Sequence, residues 1–137
     1  MCFPMERAVE KKWDFNGLQC VVARADLADG DEGLMKHRCG YVRIPQGHKW
    51  HGKDYDDIDV SVHGGLTFSK VEPCSHVDGT GYWIGFDCAH SGDASVPPGE
   101  TPMIGGRPIL SMTQGHYWTL EEVQVETEQL AKQVLGA

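Results

Sequence analysis

The chain has no run of Lys and Arg, no long apolar stretch and no paired cysteine spacing, and each absence removes a class of function. Basic residues number 12 against 20 acidic ones, a formal net charge of −8, and the cations are scattered. A protein that follows extended double-stranded nucleic acid neutralises a series of phosphates with clustered cations, so that partner is excluded. Net charge leaves open a small anionic ligand in one local pocket, or a basic protein partner. No segment approaches the ~18 consecutive apolar residues of a membrane helix. The opening MCFPMERAVEKKWDF turns charged before a signal-type apolar core can form, so no membrane association and a cytoplasmic location are expected. The five cysteines, Cys2, Cys20, Cys39, Cys74 and Cys88, are odd in number and include no CxxC pair. Neither a disulfide framework nor a thiolate zinc site fits that spacing, and reduced, packed thiols are expected. GxxxxGK[ST], a GxGxxG opening a helix, and GxSxG are absent as well.

What is present describes one domain over residues 1–137, of which 40% are hydrophobic and 9% aromatic. A length below ~150 leaves room for a single core. That apolar content offsets the ordering entropy that keeps polar chains disordered. Residues 1–35 read as an N-terminal arm and a first strand, and 36–137 as the motif-bearing core. The first fifteen residues suit a short helix or an arm lying on the domain. After the turn dipeptide Asn16-Gly17, Leu18 to Ala23 predicts a first strand, and the acidic, Gly-broken residues 25–37 a surface loop. Cys39 to Ile44 predicts a second strand, stopped by Pro45. Ile58, Val60 and Val62 alternate with polar residues, which predicts a strand that turns at Gly64-Gly65 and returns over Leu66 to Glu72. Gly81 to Cys88, the most apolar and aromatic run, belongs at the centre of the sheet. Thr119-Leu120-Glu121-Glu122 is a capping box, and Leu120, Val123, Thr127, Leu130, Ala131 and Val134 follow at helical spacing up to Gly136. The fold class is therefore α+β: a mainly antiparallel sheet with a C-terminal helix packed on one face.

Three segments concentrate chemistry-bearing side chains: His48 to Asp59, His63 to Ser69, and Gly85 to Asp93. If the ends of the proposed strands are neighbours, His63, Asp87, His90 and Asp93 converge. Imidazoles and carboxylates together suit a divalent metal as cofactor, or a general base with an orienting acid, with His63, His90 and Asp87 as candidate catalytic residues. Gly64 and Gly65 offer backbone N–H groups beside His63 to an anion, and Thr67 completes that ligand-binding stretch. Trp83 offers a flat surface on which a base stacks. Residues 89–116, rich in Pro and Gly, suit a lid, and Arg107 beside Gly105-Gly106 suits an anion clamp. The plainer alternatives stand beside these. His63 can hydrogen-bond Asp59 or a turn carbonyl, and Asp87 and Asp93 can cap local turns. Asp54, Asp56, Asp57 and Asp59 read as a solvated loop face without the Gly and Glu of a calcium loop. His48-x-x-His51 lacks the Glu of a zincin motif, Trp83 and Trp118 are at home in a core, and nothing marks Cys88 as a nucleophile.

His63-Gly64-Gly65-Leu66-Thr67, Gly85-Phe86-Asp87 with Ala89-His90 and Gly92-Asp93, and Trp118-Thr119-Leu120-Glu121-Glu122 resemble segments of a small uncharacterised family met in bacteriophage and prophage genomes. The resemblance spans roughly Gly40 to Val134. It implies a phage-encoded accessory protein in a bacterial host cytoplasm, of the kind that counters host defence by degrading or sequestering a nucleotide signal or by blocking a defence protein. Two functions stay in view. In one, the His/Asp pocket takes a phosphorylated nucleotide-like molecule and either hydrolyses it, as a metal-dependent phosphoesterase would, or sequesters it. In the other, an acidic face meets a basic surface on a host defence protein and the His and Asp residues only hold turns. The open edges of a small sheet also suit a homodimer, unless the N-terminal arm covers one of them.

Overall fold

Val-rich and aromatic runs become strands where a neighbouring strand pairs with them, and one Val-containing run does not. The computed structural model describes residues 9–24, 36–73 and 80–137. Its main sheet has five strands, β1 (Val9–Phe15), β2 (Leu18–Arg24), β3 (Arg38–Ile44), β4 (Phe68–Pro73) and β5 (Thr80–Asp87), in the order β1-β2-β3-β5-β4. Every neighbouring pair is antiparallel. A two-residue hairpin, β6 (Met103–Ile104) with β7 (Arg107–Pro108), stands apart, and the helix α1 (Leu120–Gly136) closes the chain. The fold is thus α+β, a mainly antiparallel sheet carrying a C-terminal helix on one face.

The expected strands at Leu18, Cys39 and Gly81 are present, and β5 is an interior strand between β3 and β4. The described part of the N-terminal segment differs from expectation: Val9–Phe15 is a strand of the sheet, where a short helix or an arm lying on the domain was expected. Asn16 and Gly17 have φ of 51° and 91°, the left-handed pair of a two-residue hairpin, which folds β1 directly onto β2. Cys2, Cys74 and nearly all of the acidic loop expected over 25–37 lie outside the described residues.

Of the hairpin expected from Ile58 to Glu72, the returning strand forms as β4 but pairs with β5, and the first strand does not form. Residues 58–67 form no strand, although Ile58 is buried and Val60 and Val62 pack on the core. Their alternation reflects real burial with a different backbone partner. The Ser61 N–H donates to Gln133 Oε1 at 2.8 Å, and Gln133 Nε2 donates back to the Ser61 carbonyl at 2.8 Å. A side chain of α1 thus supplies the reciprocal pair that a neighbouring strand would have supplied.

Both faces of the sheet are apolar. On one, Leu18, Cys20, Val22, Val42, Ile44, Ile84 and Phe86 meet Val123, Leu130, Ala131 and Val134 of α1. On the other, Val21, Ala23, Cys39, Tyr41 and Trp83 form a second group, with Val9 and Phe68 packed against it. The capping box is formed: Thr119 Oγ1 accepts from the Glu122 N–H, and the Glu122 carboxylate accepts from the Thr119 N–H. The helix approaches β3 most closely at Gly40, where a Cβ would lie 2.2 Å from Thr127 Oγ1 and 2.6 Å from the Phe86 ring. Replacing Gly40→Ala should therefore lower stability by about 1–3 kcal/mol through overpacking. Gly40→Ala/Thr127→Ala should recover part of that loss in chemical denaturation.

Candidate functional site

Three segments meet beyond the C-terminal end of β5: the turn at His63-Gly64, the loop from Cys88 to Asp93, and the approach to α1 at Trp118. Asp93 joins them. Its side chain is only 3% exposed. Oδ2 accepts from His63 Nε2 at 2.7 Å and from the His90 backbone N–H at 3.0 Å, while Oδ1 accepts from Trp118 Nε1 at 3.1 Å. Because Nε2 donates to the carboxylate, neutral His63 keeps its lone pair on Nδ1, a tautomer assigned from this partner. The Trp118 ring lies over the imidazole at 4.2 Å between centroids, and Glu126 Oε1 accepts from the His63 backbone N–H at 2.9 Å. His63 is fixed at both its ring and its main chain.

His90 and Asp87 form a second pair. His90 Nε2 lies 3.0 Å from Asp87 Oδ1 but off the line an N–H···O bond needs, so the contact is electrostatic rather than a hydrogen bond. Asp87 Oδ1 also accepts from the Ala89 N–H at 3.1 Å. The His90 ring occupies the space beside Gly64, where a Cβ would come within 2.1 Å of it, and Gly64 has a φ of 69°. Glycine is needed there both for space and for backbone shape. The two imidazole centroids stand 5.7 Å apart at 74°.

The four residues singled out in the sequence therefore converge, although His63 arrives on a turn alongside α1 and not at the end of a strand. The local alternative holds simultaneously: Asp87 and Asp93 do cap the turn between them. Among the described residues no group of three or more His, Cys, Asp and Glu side chains is placed to hold a metal ion. The metal set expected from His63, Asp87, His90 and Asp93 thus reads as two imidazole–carboxylate pairs, with both Asp93 oxygens already accepting.

Other expectations are corrected. The Gly65 N–H donates to the Val62 carbonyl at 2.8 Å, so it does not face an anion. Trp83 is fully buried in the second apolar group and offers no stacking surface. Arg107 is exposed on the β6–β7 hairpin and makes no hydrogen bond or ion pair to the histidines. The segment expected to act as a lid is tied down: Ala94 N–H donates to the His116 carbonyl, His116 N–H to Gly92 and Ser95 N–H to Met112, while Ala94, Ser95 and Val96 are buried. His48 holds the end of α1, its Nε2 bonding the Val134 carbonyl at 2.7 Å while Nδ1 accepts from the Trp50 N–H. Asp56, Asp57 and Asp59 are exposed. Cys20, Cys39 and Cys88 are buried free thiols, and burial pushes the first two up to about 12 and Cys88 higher still, so none supplies a thiolate.

Thr67 stands exposed at the rim of a cavity of about 240 Å³, lined also by His37, Cys39, Tyr41, Phe68, Phe86 and Asp87. His37 was not legible as a site residue. Its Nδ1 is buried without a hydrogen-bond partner. Burial lowers its pKa, while the nearby Asp87 and Asp93 charges pull it the other way. Trp118 and Glu126 were missed as well, because helical periodicity shows which face is apolar and not what stands on the first turns. Trp118 is itself buttressed: Arg38 donates from Nη1 to its carbonyl at 3.0 Å and grips Glu10 with Nε at 2.7 Å and Nη2 at 3.3 Å. A larger cavity of about 730 Å³, bordered by Gln19, Arg43, His51 and Tyr82, lies at the other end of the strands, away from His63 and His90.

In comparisons with known proteins, the chain matches no protein family, no curated protein and no solved structure.

Burial alone would raise the Asp93 carboxyl, but the hydrogen bonds from His63, the His90 N–H and Trp118, with the His63 charge, outweigh it and leave it below the ordinary value. A depressed carboxyl stabilises the fold fully above its unfolded pKa of about 3.9, and that contribution is lost as pH falls through the folded value. The melting temperature of the wild type should therefore fall more steeply than that of Asp93→Asn between about pH 5 and about pH 3. Parallel slopes would show that the carboxylate holds nothing together.

Proposed function

We propose that the protein binds a phosphorylated, nucleotide-like small molecule at the His63–His90 pair and hydrolyses a phosphodiester bond in it by general acid–base catalysis. One observation carries this reading: two imidazoles stand side by side, 5.7 Å between centroids, each set against its own carboxylate. That arrangement suits a pair of groups that start a reaction in opposite protonation states.

His63 is the better base. Asp93 orients it, leaves Nδ1 with the lone pair and stabilises the imidazolium that forms, the role a buried carboxylate plays toward an imidazole in hydrolases generally. His90, set against Asp87 Oδ1 at 3.0 Å, is the acid. In the step itself, His63 Nδ1 takes a proton from water, and the water oxygen forms a bond to phosphorus. The P–O bond to the leaving alkoxide breaks, and His90 gives that oxygen its proton. The products are a phosphomonoester and an alcohol, and the histidines exchange protons with solvent to reset. Following the phage-like motifs of the sequence, the proposed setting is a bacterial host cytoplasm and the proposed target a nucleotide signal of host defence.

Incubation with cyclic mono- and dinucleotides, followed by denaturation and chromatography, tests the reading. Opened or cleaved nucleotide is the expected result. Intact nucleotide released only on denaturation would replace hydrolysis by sequestration, and no retention of any kind would remove both. His63→Ala and His90→Ala should each cut turnover by about 10²–10⁴-fold; His63→Ala, which also removes a hydrogen bond to Asp93, should lower the melting temperature as well, and His90→Ala should lower it less. A folded double variant that keeps its biological effect would favour instead an inhibitor that binds a host protein through its acidic surface.

A further inference from the structure

The cavity beside the histidines has an apolar lining and a polar end, and Asp87 belongs to both places. Tyr41 and Phe68 meet edge to face at 5.2 Å between centroids, and Phe86 adds a third ring to the lining. Tyr41 lies across Gly85, where a Cβ would come within 2.4 Å of its ring, so the bare backbone of β5 lets it lie flat. At about 240 Å³ the space is smaller than the ~300 Å³ at which pockets for whole drug-sized ligands begin, and it suits one flat ring system.

The polar groups define what edge that ring must present. Asp87 Oδ1 already faces His90 and the Ala89 N–H, which leaves Oδ2 as an acceptor with no partner among the described residues. His37 Nδ1 is buried and unpartnered, and burial favours its neutral form. Thr67, whose side chain carries a hydroxyl, is exposed at the mouth. A single carboxylate oxygen calls for one N–H donor, and the hydroxyl and neutral imidazole can serve a ring acceptor next to it. The amino edge of adenine or cytosine has that donor–acceptor pair. The imide edge of uracil flanks its N–H with two carbonyl oxygens and would bring one of them against the carboxylate.

We infer that this cavity is a nucleobase subsite selective for amino-bearing bases, with Asp87 and Thr67 as specificity-determining residues. The inference rests on the nucleotide reading of the histidine pair and names its substrate class. One carboxylate then does two things: Oδ1 lies against His90, and Oδ2 reads the base, so a wrong base disturbs the residue beside the acid.

Calorimetric titration of the wild-type protein with adenosine, adenosine 3′,5′-cyclic monophosphate and uridine 3′,5′-cyclic monophosphate tests this. The adenosine cyclic nucleotide should bind at least ~10-fold tighter than the uridine one, because a site built to hydrogen-bond one edge rejects the edge that leaves it unpaired. Thr67→Val, at an exposed position the fold does not depend on, should shrink that ratio. Equal affinity for the two cyclic nucleotides would overturn the base subsite and leave the histidine chemistry standing. Binding of adenosine without turnover or retention of any phosphodiester would keep the subsite and sink the hydrolytic reading. Binding of none of the three would overturn both.

Discussion

A nearly buried carboxylate with three donors aimed at it organises this molecule. Asp93 holds His63, the backbone of His90 and the indole of Trp118 at once, and each comes from a different stretch of chain. Hydrogen bonds to a charged group contribute about 1.5–3 kcal/mol each, more than most neutral ones. An unpaired carboxylate at the same place would be strongly unfavourable, so the three segments are ordered together or not at all. The spacing of the two imidazoles follows from this knot, because His90 can lie beside Gly64 only when the turn and the loop are both in place.

The helix serves the site more than the sheet does. Trp118, just before its N-cap, and Glu126, on its second turn, both meet His63, and further along Gln133 holds Ser61, so the extended stretch from Ile58 to His63 runs beside α1. Its seat depends in turn on Gly40, whose missing side chain lets Thr127 approach β3. The capping box, the close packing at Gly40 and the Asp93 knot therefore act on the same end of the molecule.

Much of this was legible in sequence, for identifiable reasons. Strand β5 and helix α1 declared themselves through apolar content and helical period, and Thr119 with Glu122 named the helix start. Asn16-Gly17 marked a turn, yet β1 was misread because Glu10, Lys11 and Lys12 break the alternation; a bulge between Val9 and Lys11 and contacts from Lys11 and Trp13 to α1 explain those residues. Ile58 to Val62 had the right burial and the wrong partner, since a period of two reports which side chains are covered and not whether a strand or a Gln side chain satisfies the backbone between them. The four His and Asp positions were found because strand ends and Gly-rich turns gather polar side chains. His37, Trp118 and Glu126 were not, as only the folded chain brings them to the others.

The bulge at Glu10 links the edge strand β1 to the histidine cluster. It frees one acidic residue from the regular ladder to meet the fork of Arg38, whose other nitrogen secures the carbonyl of Trp118. A slip of one residue in β1 would therefore travel along that fork to the tryptophan that sandwiches an imidazole. The periphery of the sheet is in this sense a tuning element, and a change confined to the first strand would be expected to alter how His63 is held while leaving all four His and Asp side chains in place.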